Sequence, residues 1–145
     1  MFNANLFEAI PGDEPDTEEM SLDQLEVGGA LMARVHEASV GYSDVARPDE
    51  SGLIAWAREV VPTSLHKELD AVESRMSQLA KDENSYGLIH YDMDNIRWVD
   101  GRVSGIFDFD DCHYNWFEAD IVSAVVGLYD KNIDQLDPFP VFRRL

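Results

Sequence analysis

The residues best suited to chemistry are His90, Asp92, Asp94 and Asn95, followed after a short interval by Asp108, Asp110 and Asp111. Between the two groups lie apolar runs from Ile96 to Val99 and from Val103 to Phe107, separated by Asp100-Gly101. An Asp-Gly pair between short apolar runs predicts a β-hairpin, because glycine accepts the positive φ of a tight turn. A hairpin over 96–107 brings both polar groups to its open end. Carboxylate and amide oxygens are hard ligands, so this set suits Mg²⁺ better than zinc or iron. A solvated acidic loop would have the same composition. It would not need to place its residues at both ends of a hairpin.

The elements that must position these groups follow from periodicity and punctuation. Asn5 to Ile10 predicts a short strand ended by Pro11-Gly12, and the acidic residues 13–19 predict a loop or linker. Ser21 with Gln24 has the capping-box spacing, and Leu22, Leu25, Leu31, Met32 and Val35 continue at helical intervals towards Ser39. Gly28-Gly29 within that helix predicts another backbone packed closely against it. His36 reads as a packed helix histidine rather than a ligand or base, since no partner cluster is near it in sequence. Asp49 or Ser51 can cap a short helix that Pro62 ends. From Thr63 or Ser64 onward, Leu65, Leu69, Val72, Met76 and Leu79 form one apolar stripe, which predicts an internal helix. Asn115 to Tyr129 predicts a buried helix, and Pro138 and Pro140 leave 130–145 as a loose tail. The sum is a mostly helical α+β fold, four helices around a small hairpin, in one domain over residues 1–145.

Composition narrows the function. The 145 residues carry a formal net charge of −18, which argues against gripping nucleic acid through its phosphates. The same charge would draw in a cationic small molecule, although acidity alone also serves solubility. A single cysteine, Cys112, excludes an internal disulfide. No apolar run approaches a membrane span and no basic signal-peptide start is present, so the expectation is a cytoplasmic protein with no membrane partner.

His90-x-Asp92, then Asn95, a hairpin, and Ile106-x-Asp108-Phe-Asp-Asp111 together resemble the catalytic segment of the aminoglycoside phosphotransferase and choline kinase family, whose fold is protein-kinase-like. The resemblance implies ATP and Mg²⁺ as ligands and a small-molecule substrate. It implies that Asp92 is the catalytic base, that Asn95 and Asp108 hold the metal, and that His90 and Asp120 give structural support. Phe7, Glu8, Ala9 and Ile10 would stand at the hinge that meets the adenine, within a strand-and-linker segment 1–20. Residues 21–129 would then be the helical large lobe. Phosphoryl transfer depends mostly on positioning and charge neutralisation, which a few oxygen ligands can supply.

Two departures bear on activity. The family usually has four residues between base and Asn, whereas Met93 and Asp94 alone intervene here. The sequence also has no Gly-x-Gly-x-x-Gly, and its lysines are Lys67, Lys81 and Lys131, none placed to serve as the small-lobe lysine. The expectation is a large (C-terminal) lobe alone, an apparently truncated family member. The alternative from another class is a non-catalytic remnant that binds nucleotide weakly or serves as an interaction module. A homo-oligomer, in which another chain supplies the missing contacts, is left open.

Overall fold

Helix α1 (Leu22–Ser39) starts at its capping box: Ser21 Oγ accepts from Gln24 N, and Gln24 Oε1 accepts from Ser21 N. These two bonds satisfy amides that the first helical turn leaves without partners. The computed structural model describes residues 8–15, 20–92 and 95–129. Helix α2 (Glu50–Val60) is capped by Asp49, whose Oδ1 accepts from Gly52 N at 3.1 Å, and Pro62 follows its end. A 3₁₀ turn at Thr63–Leu65 leads into α3 (His66–Met76). Strands β1 (Tyr86–Ile89), β2 (Ile96–Val99), β3 (Arg102–Ile106) and β4 (His113–Trp116) come next, and α4 (Glu118–Tyr129) completes the described residues.

The strands form two nested antiparallel ribbons. β2 and β3 make the inner hairpin, and β1 pairs with β4 outside it, from Tyr86↔Trp116 to Ile89↔His113. Residues 90–92, 95 and 107–112 therefore all lie where the chain passes between the same two ribbons. The inner turn takes the form its sequence demands, with Asp100 at φ 49° and Gly101 at φ 73°. The pairing slips between Arg97↔Gly105 and Trp98↔Val103, so Ser104 is an extra residue in β3. This bulge puts Val103 and Ile106 on the same face despite their odd spacing. There they pack with Ile96 and Trp98, which are 2% and 5% exposed, against Met32 of α1. Phe107 instead receives the Arg97 guanidinium 5.0 Å from its ring centroid.

Several expectations change. Residues 8–10 are not a strand, and Phe7 lies outside the described residues, as does the tail 130–145. The following segment instead joins the free edge of β2: Asp13 and Trp98 exchange both backbone hydrogen bonds, at 3.0 and 2.9 Å. Gly12, at φ 113°, is needed there because a Cβ would fall 2.3 Å from the Trp98 carbonyl oxygen. Residues 113–116 form a strand and α4 starts only at Glu118, because pairing with β1 outweighs the apolar run's helical reading. Gly28 and Gly29 make no close backbone approach; nothing described lies within 4 Å of where their Cβ atoms would be. The apolar stripe of α3 is not internal either: Leu65, Val72 and Leu79 are exposed, and the helix packs chiefly on α2.

A buried carboxylate secures the entrance to β1. Glu50, at the start of α2, accepts from Tyr86 Oη at 2.5 Å and pairs with Lys81, whose ammonium also lies over the Tyr86 ring. Burial pushes the Glu50 carboxyl up, but the Lys81 and Tyr86 bonds outweigh it and hold it below its ordinary 4.5. Burial, reinforced by the Glu50 bond, pushes the Tyr86 phenol well above its usual range.

Two outcomes follow. Trp98→Ala should cost about 3–5 kcal/mol in urea unfolding, since it empties the contact between hairpin and α1. For Glu50, a lowered folded pKa means that its stabilisation is present above pH 4.5 and lost as pH falls through the folded value. Stability measured from pH 6 down to 3 should therefore fall less steeply in Glu50→Gln than in the wild type.

Candidate active site

The site is built from the two segments between the ribbons and from the helix beneath them. Asp120, in the first turn of α4, is fully buried. Its Oδ1 accepts from Tyr91 N at 2.5 Å, and its Oδ2 accepts from His90 N at 3.2 Å and from His36 Nε2 at 2.7 Å. The expectation for His36 was a packed helix histidine, and it is packed: its ring stacks on Phe117 at 4.3 Å. Its polar partner lies 84 positions away, so no local pattern could have found it.

His90, also fully buried, braces one polar segment against the other. Its Nδ1 accepts from Asp92 N at 3.3 Å and its Nε2 donates to Phe107 O at 2.9 Å. A backbone N–H can only donate and a carbonyl can only accept, so these partners put the ring proton on Nε2. Phe107 N in turn donates to Asn95 O at 3.1 Å. The residue before Asp108 is thus held by both His90 and Asn95. Asp108 itself is exposed and turns into the left-handed region at φ 58°, which aspartate tolerates better than most residues.

Asp92 and Asn95, on either side of the short span, are joined by two hydrogen bonds. Asn95 N donates to Asp92 O at 3.3 Å, and Asn95 Nδ2 donates to Asp92 Oδ2 at 2.5 Å. The structure therefore brings Asp92 and Asn95 into direct contact. Asp108 is placed one residue beyond Asn95's backbone partner. With Nδ2 turned to Asp92, the Asn95 amide presents its carbonyl oxygen on the other side, the donor atom a hard cation requires. Among the described residues, no three His, Cys, Asp or Glu side chains cluster in a way that could hold a metal ion.

Of the four residues expected at a hinge, Phe7 lies outside the described residues, and Glu8 and Ala9 are exposed. Ile10 packs on the inner hairpin, its Cγ2 2.8 Å from where a Gly105 Cβ would stand. Tyr91 was not foreseen as special. It adopts φ 70°, a conformation unusual for a bulky side chain, and its ring meets the edge of buried His113 at 4.8 Å. Cys112 is buried, and that burial pushes its thiol above its ordinary value.

Comparison with known proteins identifies the family. The model of the phosphotransferase enzyme family, APH, matches residues 3–139. The chain belongs to this family. It is 30% identical over 135 residues to an amicoumacin kinase of Bacillus subtilis (strain 168), covering 83% of this chain and 38% of that protein. It is 37% identical over 93 residues to a homoserine kinase of Gluconacetobacter diazotrophicus, covering 56% of this chain and 29% of the relative. Among solved structures, amicoumacin kinase hAmiN in complex with AMP-PNP, Ca²⁺ and Ami superposes with a TM-score of 0.74 at 22% identity. It covers 90% of this chain and 42% of that one. The fold is therefore kinase-like, and the chain spans less than half the length of the relatives it matches. Among the described residues, no helix is long and apolar enough to cross a membrane.

The Asp120 network gives a direct test. Asp120→Ala leaves two backbone amides and the His36 ring without their acceptor in a buried place. It should destabilise the fold by about 3–5 kcal/mol in urea unfolding. Asp120→Asn, which keeps one carbonyl oxygen, should cost less.

Proposed function

We propose that this chain is the large-lobe part of a small-molecule phosphotransferase, carrying the catalytic base and the metal-holding residues. In this reading Asp92 accepts the proton of an acceptor hydroxyl, and Asn95 and Asp108 would hold Mg²⁺ when ATP is bound. The observation that carries it is the Asp92–Asn95 contact at 2.5 Å, with His90 tying Asp92 to the residue preceding Asp108. The base must be a carboxylate held at a fixed point, because in this chemistry the protein contributes position more than covalent reactivity. Asn95 directs one Asp92 oxygen, and the amide of Asp92 is anchored on His90. When bound, the metal would supply neutralisation of phosphate charge. The net charge of −18 supports a cationic acceptor, such as an amino alcohol or aminosugar. The relatives are named for different acceptors, amicoumacin and homoserine, and the acceptor class proposed for this chain goes no further than an amine-bearing alcohol.

A second reading, a non-catalytic remnant, has its own support. Lys81 is paired with Glu50 and so is not free to meet a phosphate.

The two readings separate in one experiment. Mg²⁺-ATP turnover is measured for the wild type, Asp92→Ala and Asp108→Ala across a panel of amino alcohols and aminosugars. The proposal expects acceptor-dependent ADP release well below the roughly 1 per second of ordinary kinases, and its loss in both variants. It also expects Mg²⁺-dependent ATP binding that Asp108→Ala weakens. ADP release indifferent to both substitutions would favour the remnant.

A further inference from the structure

We propose that Ser123 is a positioning residue for Asp92, acting through the carbonyl of Tyr91. Ser123 Oγ donates to Tyr91 O, while Tyr91 N donates to Asp120 Oδ1 at 2.5 Å. Asp120 and Ser123 are three residues apart on α4, so they stand one above the other on the same helix face. That face holds Tyr91 by both of its backbone polar groups. The peptide joining Tyr91 to Asp92 is also held at both ends: its carbonyl by Ser123, and its N–H by His90 Nδ1 at 3.3 Å. This peptide plane carries the Cα of Asp92, so its rotation sets where the carboxylate points.

Two features require such a clamp. Tyr91 sits at φ 70°, where a non-glycine residue persists only when its surroundings over-determine it. The serine is also unusual in what it does. A serine within a helix commonly turns to solvent or bonds back to its own helix four residues earlier. Ser123 instead donates outward, to the residue that precedes the catalytic aspartate. Helix formation gives no reason for serine here, since alanine is the better helix former. The function of Asp92 as base rests on the phosphotransferase reading above, whereas the clamp on its peptide rests on geometry alone.

The test compares Ser123→Ala and Ser123→Thr with the wild-type chain, using urea unfolding, residue-resolved amide hydrogen exchange, and acceptor-dependent ADP release. In Ser123→Ala the urea midpoint should hold or rise, because alanine favours the helix. The Asp92 amide should nevertheless exchange roughly fivefold faster, the factor that one hydrogen bond of ordinary net strength represents. Amides of the inner hairpin should exchange as before. Ser123→Thr keeps the hydroxyl and should restore wild-type exchange at Asp92. ADP release should fall in Ser123→Ala with the KM for ATP unchanged, and recover in Ser123→Thr. Unchanged Asp92 exchange in Ser123→Ala, or failure of threonine to restore it, would overturn the assignment. If the wild type shows no release at all, that result counts against the phosphotransferase reading, and the exchange comparison still decides the role of Ser123.

Discussion

A single buried carboxylate, Asp120, holds the rest of this structure in register. Removing a carboxylate from water costs several kcal/mol unless its oxygens are filled with donors. Here the donors come from separate parts of the chain: His36 from α1, and the amides of His90 and Tyr91 from the end of β1. None of the three can move away without leaving the charge exposed to an apolar interior. The helix that carries Asp120, the helix that carries His36 and the strand that leads to Asp92 are therefore fixed relative to one another. The strained backbone of Tyr91 is a consequence, since its amide must point down at the carboxylate just where the chain turns out towards solvent.

Close approach of the surrounding elements makes that convergence feasible. At Gly87 in β1, a Cβ would lie 2.9 Å from Phe117 Cε1 and 3.1 Å from Ser39 Oγ. Phe117 is also the ring on which His36 stacks, so the missing side chain lets the end of α1, β1 and the start of α4 meet around Asp120. His90 then transmits the arrangement outward. Its two ring nitrogens reach the amide of Asp92 and the carbonyl of Phe107, coupling the two segments between the nested ribbons. Position, rather than any unusual reactivity, is what this framework supplies, and positioning is the main demand of phosphoryl transfer.

The polar interior has a second, separate centre. Glu50 ties α2 to Tyr86 at the beginning of β1 through Lys81 and the phenol, whereas Asp120 ties α4 to the end of the same strand. β1 is thus anchored at both ends by carboxylates from different helices. This explains how a four-residue strand with one paired neighbour can serve as the base of a site.

The sequence by itself determined the family, the inner hairpin and its turn, and the helix start at Ser21, and it narrowed the next start to Asp49 or Ser51, of which the structure takes Asp49. These signals are local: a positive φ needs glycine, a free helix amide needs a nearby oxygen, and a motif is a spacing along one chain. It also put Asp92, Asn95 and Asp108 around one hairpin. Only the tertiary structure decided the outer ribbon, because β1 and β4 are short and find each other across the whole inner hairpin. It alone showed the Ser104 bulge, the docking of Gly12 and Asp13 on β2, the exposure of the α3 stripe and the open surroundings of Gly28 and Gly29. The partners of Asp120 belong to the same class. His36 is 84 positions from Asp120, and Ser123 looks like any helix serine until Tyr91 is laid across it. Contacts of that range are selected by the free energy of the packed whole, and no window along the chain contains them.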